Sequence, residues 1–194
     1  DAFKAGIEGA ASALWPIIIV IVAAVFIYNL SIHTKSMDVI KQMMTGITTD
    51  QRILVLILAW GFGGFLEAIA GFGTAVAIPA SIMAALGFDP IFAAVICLIA
   101  NTTPTAFGAI GLPVSTLAKL TNLDPTTLSY AVGLQLAALI VIVPIILVML
   151  TGKGVKAIKG VFGIALVSGL SFAIPEVIAA KYLGAELPAI LGSV

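Results

Sequence analysis

"GFLEAIAGFGTAV", residues 64–76, sets one carboxylate, Glu67, and two spaced glycines, Gly71 and Gly73, inside a run of 36 residues (53–88) that holds no other charge. The setting decides what these residues mean. Of the 194 residues, 61% are hydrophobic and 9% charged, and the mean hydropathy is +1.24. Soluble chains carry about a quarter charged residues, so the solvent of this chain is lipid. An ionisable group deep in a membrane costs at least a few kcal/mol and usually marks an ion pathway or a proton relay. Burial disfavours the ionised form, which makes Glu67 a candidate proton carrier. The alternative is a carboxylate near a helix end that reaches water or a backbone donor.

The run is too long for one span of roughly 20 residues. Glycines at 61, 63, 64, 71 and 73 interrupt it, so it reads as two arms, about 53–66 and 74–87, joined by a turn. Each arm of about 14 residues rises roughly 21 Å and need not cross, which makes 53–88 a re-entrant hairpin. Residues 10–30, 128–150 and 155–180 read as ordinary transmembrane helices. In the third, Lys156 and Lys159 at one end and Glu176 and Lys181 at the other snorkel to the headgroups. Ala165 and Gly169, four residues apart, admit a close neighbouring helix. Residues 36–47 form an interfacial helix, with Met37, Ile40, Met44 and Ile47 on one face and Lys35, Asp38, Lys41 and Gln42 largely elsewhere. Trp15 and Tyr28 sit toward the ends of the first span, as interface aromatics do.

Residues 90–118 are uncharged, yet "NTTPTAFGAIGLP" (101–113) lies inside them. Asp89-Pro90 and Asp124-Pro125 are helix starts, an N-cap acid before a proline at the first helical position. Thr103-Pro104 carries the same signal in mid-membrane, with Thr103 as the cap. The span therefore reads as broken at 101–105, and the break must line a protein-enclosed cavity or be buried, since unpaired backbone cannot face lipid. Asn101 ends one half-helix and Thr103-Pro104 starts another. Gly71 and Gly73 leave amides exposed at the hairpin tip, and Thr74 opens the second arm with its positive end pointing inward. Such a pair of breaks can hold a cation and a carboxylate together. The bland readings are a tightly packed link at the tip and a hydroxyl-lined kink without a ligand. No Lys or Arg lies between 53 and 118, so a bound anion would rest on amides, hydroxyls and helix ends, which suits a small monocarboxylate.

The basic residues test the hairpin. If 53–88 returns to its starting side, the loops at 31–52 and 151–160 share a side and hold six of the nine basic residues: Lys35, Lys41, Arg52, Lys153, Lys156 and Lys159. That side is cytoplasmic by the positive-inside rule. Two full crossings would have the same parity, so this count does not separate them from a hairpin. Zero net charge implies no nucleic-acid partner, a single cysteine (Cys97) forms no internal disulfide, and no metal-ligand cluster, cofactor fingerprint or nucleophile triad is present. An enzyme reading has little support.

"GFGGFLEAIAGFGTAVAIPASIMAALGF" (61–88) and "NTTPTAFGAIGLPV" (101–114) closely resemble the lactate permease family, bacterial proton symporters for L-lactate and glycolate. The resemblance implies an all-helical polytopic inner-membrane protein, one inverted-repeat half of an ion-transporter-type fold, with an elevator-like motion. It also implies that the remainder of a longer transporter chain is a partner. By motif it implies that Gly71, Gly73, Thr74, Asn101, Thr102, Thr103, Thr105 and Gly108 bind substrate and that Glu67 couples the proton, with no metal and no cofactor. "TAVAIPA" (74–80) departs from the pattern in having Ala75, not proline, after Thr74, which bears on the shape of the tip. The reading is a carrier that imports a small 2-hydroxy monocarboxylate with protons, and a homodimer is one assembly it allows. The rivals are a carrier for another organic anion, a sodium-coupled symporter, and a non-transporting scaffold or channel subunit.

Overall fold

The computed structural model describes residues 2–71 and 73–194, and the elements among them are helices joined by turns. Two units divide the chain after Ile40. The first holds one long helix, α1 (Ala2–His33), and the start of α2 (Ser36–Ile47). Trp15 on α1 is 77% exposed. The side chains of Tyr28, Met37, Asp38, Ile40, Lys41 and Met44, on which the interfacial reading rests in part, lie outside the described residues.

The second unit opens with α3 (Gln51–Val55), a π-helical stretch Leu56–Phe62 and α4 (Gly63–Ile69). These run on without a gap as one 19-residue rod, Gln51–Ile69, roughly 28 Å long. The expected first arm ended at 66, with Gly61, Gly63 and Gly64 as breakers. They break nothing. The wide i to i−5 bond from Gly63 N to Leu58 O carries the backbone through them. One of the three is small for a packing reason: a Cβ at Gly64 would meet the Phe172 ring at 2.8 Å, whereas one at Gly63 would stand in ordinary contact, 3.4 Å from the Ala75 carbonyl. The chain turns only at Gly71 (φ +57) and Gly73 (φ +86), then returns along α5 (Thr74–Ala85).

Asp89 caps α6 (Pro90–Asn101) by accepting from Phe92 N at 2.9 Å, and Asp124 caps α8 (Pro125–Thr151) by accepting from Thr127 N at 2.7 Å, as the two Asp-Pro signals predict. The Thr127 amide and hydroxyl bonds hold the Asp124 carboxyl below its ordinary range, so the cap is charged at neutral pH and weakens only as acid protonates it. The 90–118 segment is broken. A 3-10 turn (Pro104–Phe107) and α7 (Gly108–Thr121) follow α6, bent from it by 63°. Thr103 stands before the turn, but its side chain makes no capping bond: its backbone is itself helical (φ −89, ψ −46), not extended as an N-cap requires. The sharper departure lies further on, where Ala109, Ile110 and Gly111 are left-handed in succession (φ 46, 59 and 71).

The expected 155–180 helix begins later than predicted. Val155–Ile158 is a 3-10 turn carrying Lys156, and α9 runs from Phe162 to Tyr182. α9 packs along α8 and against the short α10 (Pro188–Ser193). Gly169 permits the close approach expected of it, since a Cβ there would fall 2.8 Å from Val141 Cα. Ala165 is buried beside Leu56, Val148 and Val161. Phe172 fills the wall between Gly64 and Gly192, either of whose added Cβ would stand 2.8 Å from its ring, and it lies 5.2 Å from the Trp60 ring. Glu176 corrects the sequence reading: it does not snorkel but is fully buried, while Lys181 stays exposed over the Tyr130 and Tyr182 rings at 5.5 and 5.3 Å.

At the start of the rod, Arg52 pairs with Asp50 at 2.6 Å and donates from Nη1 to Ala157 O at 2.7 Å and Lys159 O at 3.3 Å. The Arg52 hydrogen bond holds the Asp50 carboxyl low. This contact brings the basic end of the 31–52 loop against the 151–160 loop.

Among the described residues, three helices are long and apolar enough to cross a membrane: Gln51–Ile69, Pro125–Thr151 and Phe162–Tyr182. The bent pair Pro90–Asn101 and Pro104–Thr121 would make a fourth.

Candidate functional site

The site forms where the turn after α4 meets the break after α6. Gly71 N–H donates to Glu67 O at 3.1 Å and Leu66 O at 3.3 Å, closing the last turn of α4 with a left-handed residue, the conformation glycine adopts without strain at a helix C-terminus. Thr74 then starts α5, with both its amide (3.1 Å) and its hydroxyl (2.7 Å) bonded to Gly71 O. The amides of Gly71 and Thr74 are thus spent within the turn, contrary to the expectation that Gly71 leaves its N–H free for an anion.

Across from the tip, α6 ends at Asn101. Thr102 ties its hydroxyl to Ile99 O at 2.7 Å, and Thr105 Oγ1 folds back to donate to Asn101 O. The chain then extends at Gly108 (ψ 161) and enters the left-handed turn. Two contacts lock tip to break. A Cβ on Gly71 would stand 3.0 Å from Ala109 Cβ, and one on Gly108 would overlap Glu67 Oε1. The left-handed φ favours glycine at 71, and a side chain at 108 would displace the Glu67 carboxyl.

Between them lies a pocket of about 260 Å³ lined by Glu67, Gly71, Gly73, Asn101, Thr105, Gly108, Ala109, Leu112 and Pro113. The structure therefore brings together Glu67, Gly71, Gly73, Asn101, Thr105 and Gly108. It sets the other three singled-out residues differently. Thr74 is buried with its hydroxyl engaged in the turn, Thr102 is exposed, and Thr103 is buried with its hydroxyl unpartnered among the described residues. Ala109, Leu112 and Pro113 were not foreseen. All three lie within the quoted motif, but apolar residues give no chemical signal, and only the left-handed turn aims them at the pocket.

Glu67 is the only charged side chain of the pocket lining and is 4% exposed. Asn101 lines the same pocket, its Nδ2 donating to Thr105 Oγ1 at 3.4 Å. Glu67 Oε2 and Asn101 Oδ1, both acceptors, have no partner among the described residues. A proton on Glu67 would turn one acceptor into a donor, which an ionised carboxylate cannot supply. The pocket thus brings together one ionisable group and an unpartnered amide carbonyl. Among the described residues no group of three or more potential metal ligands is found.

A family model described as L-lactate permease matches residues 1–194. An L-lactate permease of Streptococcus iniae is 65% identical over 193 residues, covering 100% of this chain and 41% of that protein. The glycolate permease GlcA of Escherichia coli (strain K12) is 44% identical over 187 residues, covering 96% of this chain and 33% of that protein. An L-lactate permease of Bacillus subtilis (strain 168) is 41% identical over 192 residues, covering 99% and 34%. The chain spans 33–41% of the length of these relatives. No solved structure matches.

Proposed function

The chain belongs to the L-lactate permease family, and from that premise we propose that the full-length protein imports a small 2-hydroxy monocarboxylate of the lactate and glycolate type together with protons. The observation that carries this reading is the pocket whose only charge is Glu67 and whose remaining lining is neutral. Its volume falls just under the roughly 300–1,000 Å³ of drug-sized ligand sites, a scale suited to a guest of a few heavy atoms. The coupling follows from electrostatics. Two like charges about 4 Å apart repel by about 4 kcal/mol at an effective dielectric near 20, roughly a thousandfold in affinity. No Lys or Arg between 53 and 118 offsets that repulsion. A carboxylate guest is therefore accepted when Glu67 holds a proton and repelled when it does not, which ties anion to proton without a metal.

Counter-flow of labelled lactate in proteoliposomes of the full-length protein tests the substrate class. Competition by unlabelled glycolate but not by a dicarboxylate is expected. Counter-flow of other organic anions only would give the site to that rival, and no counter-flow of any anion would give it to a scaffold.

We place both basic loops on the cytoplasmic side, with 53–88 as a re-entrant hairpin, a reading supported by the contact of Arg52 with Ala157 and Lys159 and by the positive-inside rule. Single Lys41→Cys and Lys156→Cys substitutions, in a Cys97→Ala background, should label from the same side of the membrane. Labelling from opposite sides would contradict this placement.

A further inference from the structure

The proposed transport cycle makes no use of Glu176, the other buried carboxylate among the described residues. It is 0% exposed, and neither Oε1 nor Oε2 has a hydrogen-bond partner among the described residues. Its place in the fold follows from its neighbours on α9. One turn before it, Phe172 touches Trp60, Gly64 and Gly192; one turn after it, Ala180 packs with Ala68 and Phe107 and approaches Gly133. Glu176 therefore lies in the wall where α9 meets α8, α10 and the rod that carries Glu67.

Nothing in that wall balances a negative charge. α8 contributes one titratable group, Tyr130; α10 and the π-helical stretch contribute none; α4 contributes only another acid, Glu67. On α9 itself the charged group besides Glu176 is Lys181, which is exposed with its Nζ over the Tyr130 and Tyr182 rings. The indole N–H of Trp60, a neutral donor in the same wall, is also unpartnered and so is not bonded to Glu176. A basic group from the rest of the transporter could not reach a fully enclosed carboxyl without displacing these walls. A buried carboxylate without a counter-charge or donors takes up a proton instead of remaining ionised. The neutral acid then needs only an acceptor for its O–H. Pro175, inside α9, has no N–H, so the Ser171 carbonyl of the same helix lacks its usual helical donor.

We propose that Glu176 is a second proton-binding site, separate from Glu67, which holds its proton at neutral pH in this conformation. The site takes no substrate and no metal, and its proton is shielded from water by Phe172 and the α8 and α10 helices. The proposal does not depend on which anion the protein carries.

Infrared spectroscopy of the full-length protein in D₂O at neutral pH tests it. The wild type should show the C=O stretch of a protonated carboxylic acid. Glu67→Gln should retain that band, Glu176→Gln should lose it, and Glu176→Gln should unfold at the wild-type temperature, since glutamine mimics the neutral acid. A folded Glu176→Gln whose difference spectrum lacks the band would overturn the proposal. If Glu176→Gln does not fold, Glu176→Asp should keep an acid band at a displaced frequency. A wild type with no protonated-acid band at neutral pH overturns the proposal without any variant.

Discussion

Glu67→Gln should abolish accumulation of lactate driven by a pH gradient while leaving exchange of internal for external lactate measurable. Glutamine keeps the shape of the side chain and is permanently neutral, so the repulsion that excludes an anion from an ionised site is gone. The substrate still binds and the loaded carrier still reorients. What the variant cannot do is release a proton on one side and recover it on the other, so the proton gradient does no work on the substrate. The expected effect is complete loss of concentrative uptake against at most a modest loss of counter-flow. Coupled uptake at the wild-type rate in Glu67→Gln would make this carboxylate structural and move the coupling proton elsewhere.

The second large effect is expected at Gly111→Ala. Gly111 has φ +71, and a Cβ there would overlap the Ala185 carbonyl. The obstacle is backbone and cannot rotate away. Left-handed strain alone costs an alanine roughly 1–2 kcal/mol; with the overlap, the total should reach about 3–5 kcal/mol, in the exceptional range for one substitution. Gly184→Ala separates the two causes, because Gly184 has a similar φ (+87) with nothing within 4 Å of the added Cβ. Thermal unfolding of the detergent-solubilised full-length protein should show a large drop for Gly111→Ala and a small one for Gly184→Ala. Equal drops would mean that the 185 segment does not brace the break.

The contrast between these glycines shows what could be read from the chain. Signals that act over three or four residues were legible: Asp89-Pro90 and Asp124-Pro125 start helices because a short acid caps the amide three residues on and proline needs no donor there. That Glu67 shares a site with Asn101 and Thr105 was implied by the resemblance to the family's motifs; the residues alone said only that each break must be lined or buried by protein. The left-handed turn at 109–111 was not legible. Alanine and isoleucine resist that conformation, and what selects it is tertiary: Gly71 abuts Ala109, and Gly111 abuts Ala185. Gly64 misled for the same reason. A glycine that makes room for Phe172 looks, in sequence, like one that ends a helix. Glu176 was misplaced because a charge six residues from the end of a helix, near Lys181, reads as a headgroup contact until α10 is seen folding over that face.

The most direct test of the central claim uses the wild-type full-length protein in proteoliposomes, loaded with buffer and exposed in turn to an inward proton gradient and an inward sodium gradient. The account predicts that labelled lactate accumulates under the proton gradient alone, that a protonophore collapses the accumulation, and that sodium neither drives nor enhances it. Accumulation driven by sodium without a pH gradient would contradict it, and would assign the unpartnered oxygens of Glu67 and Asn101 to a metal cation in place of a proton.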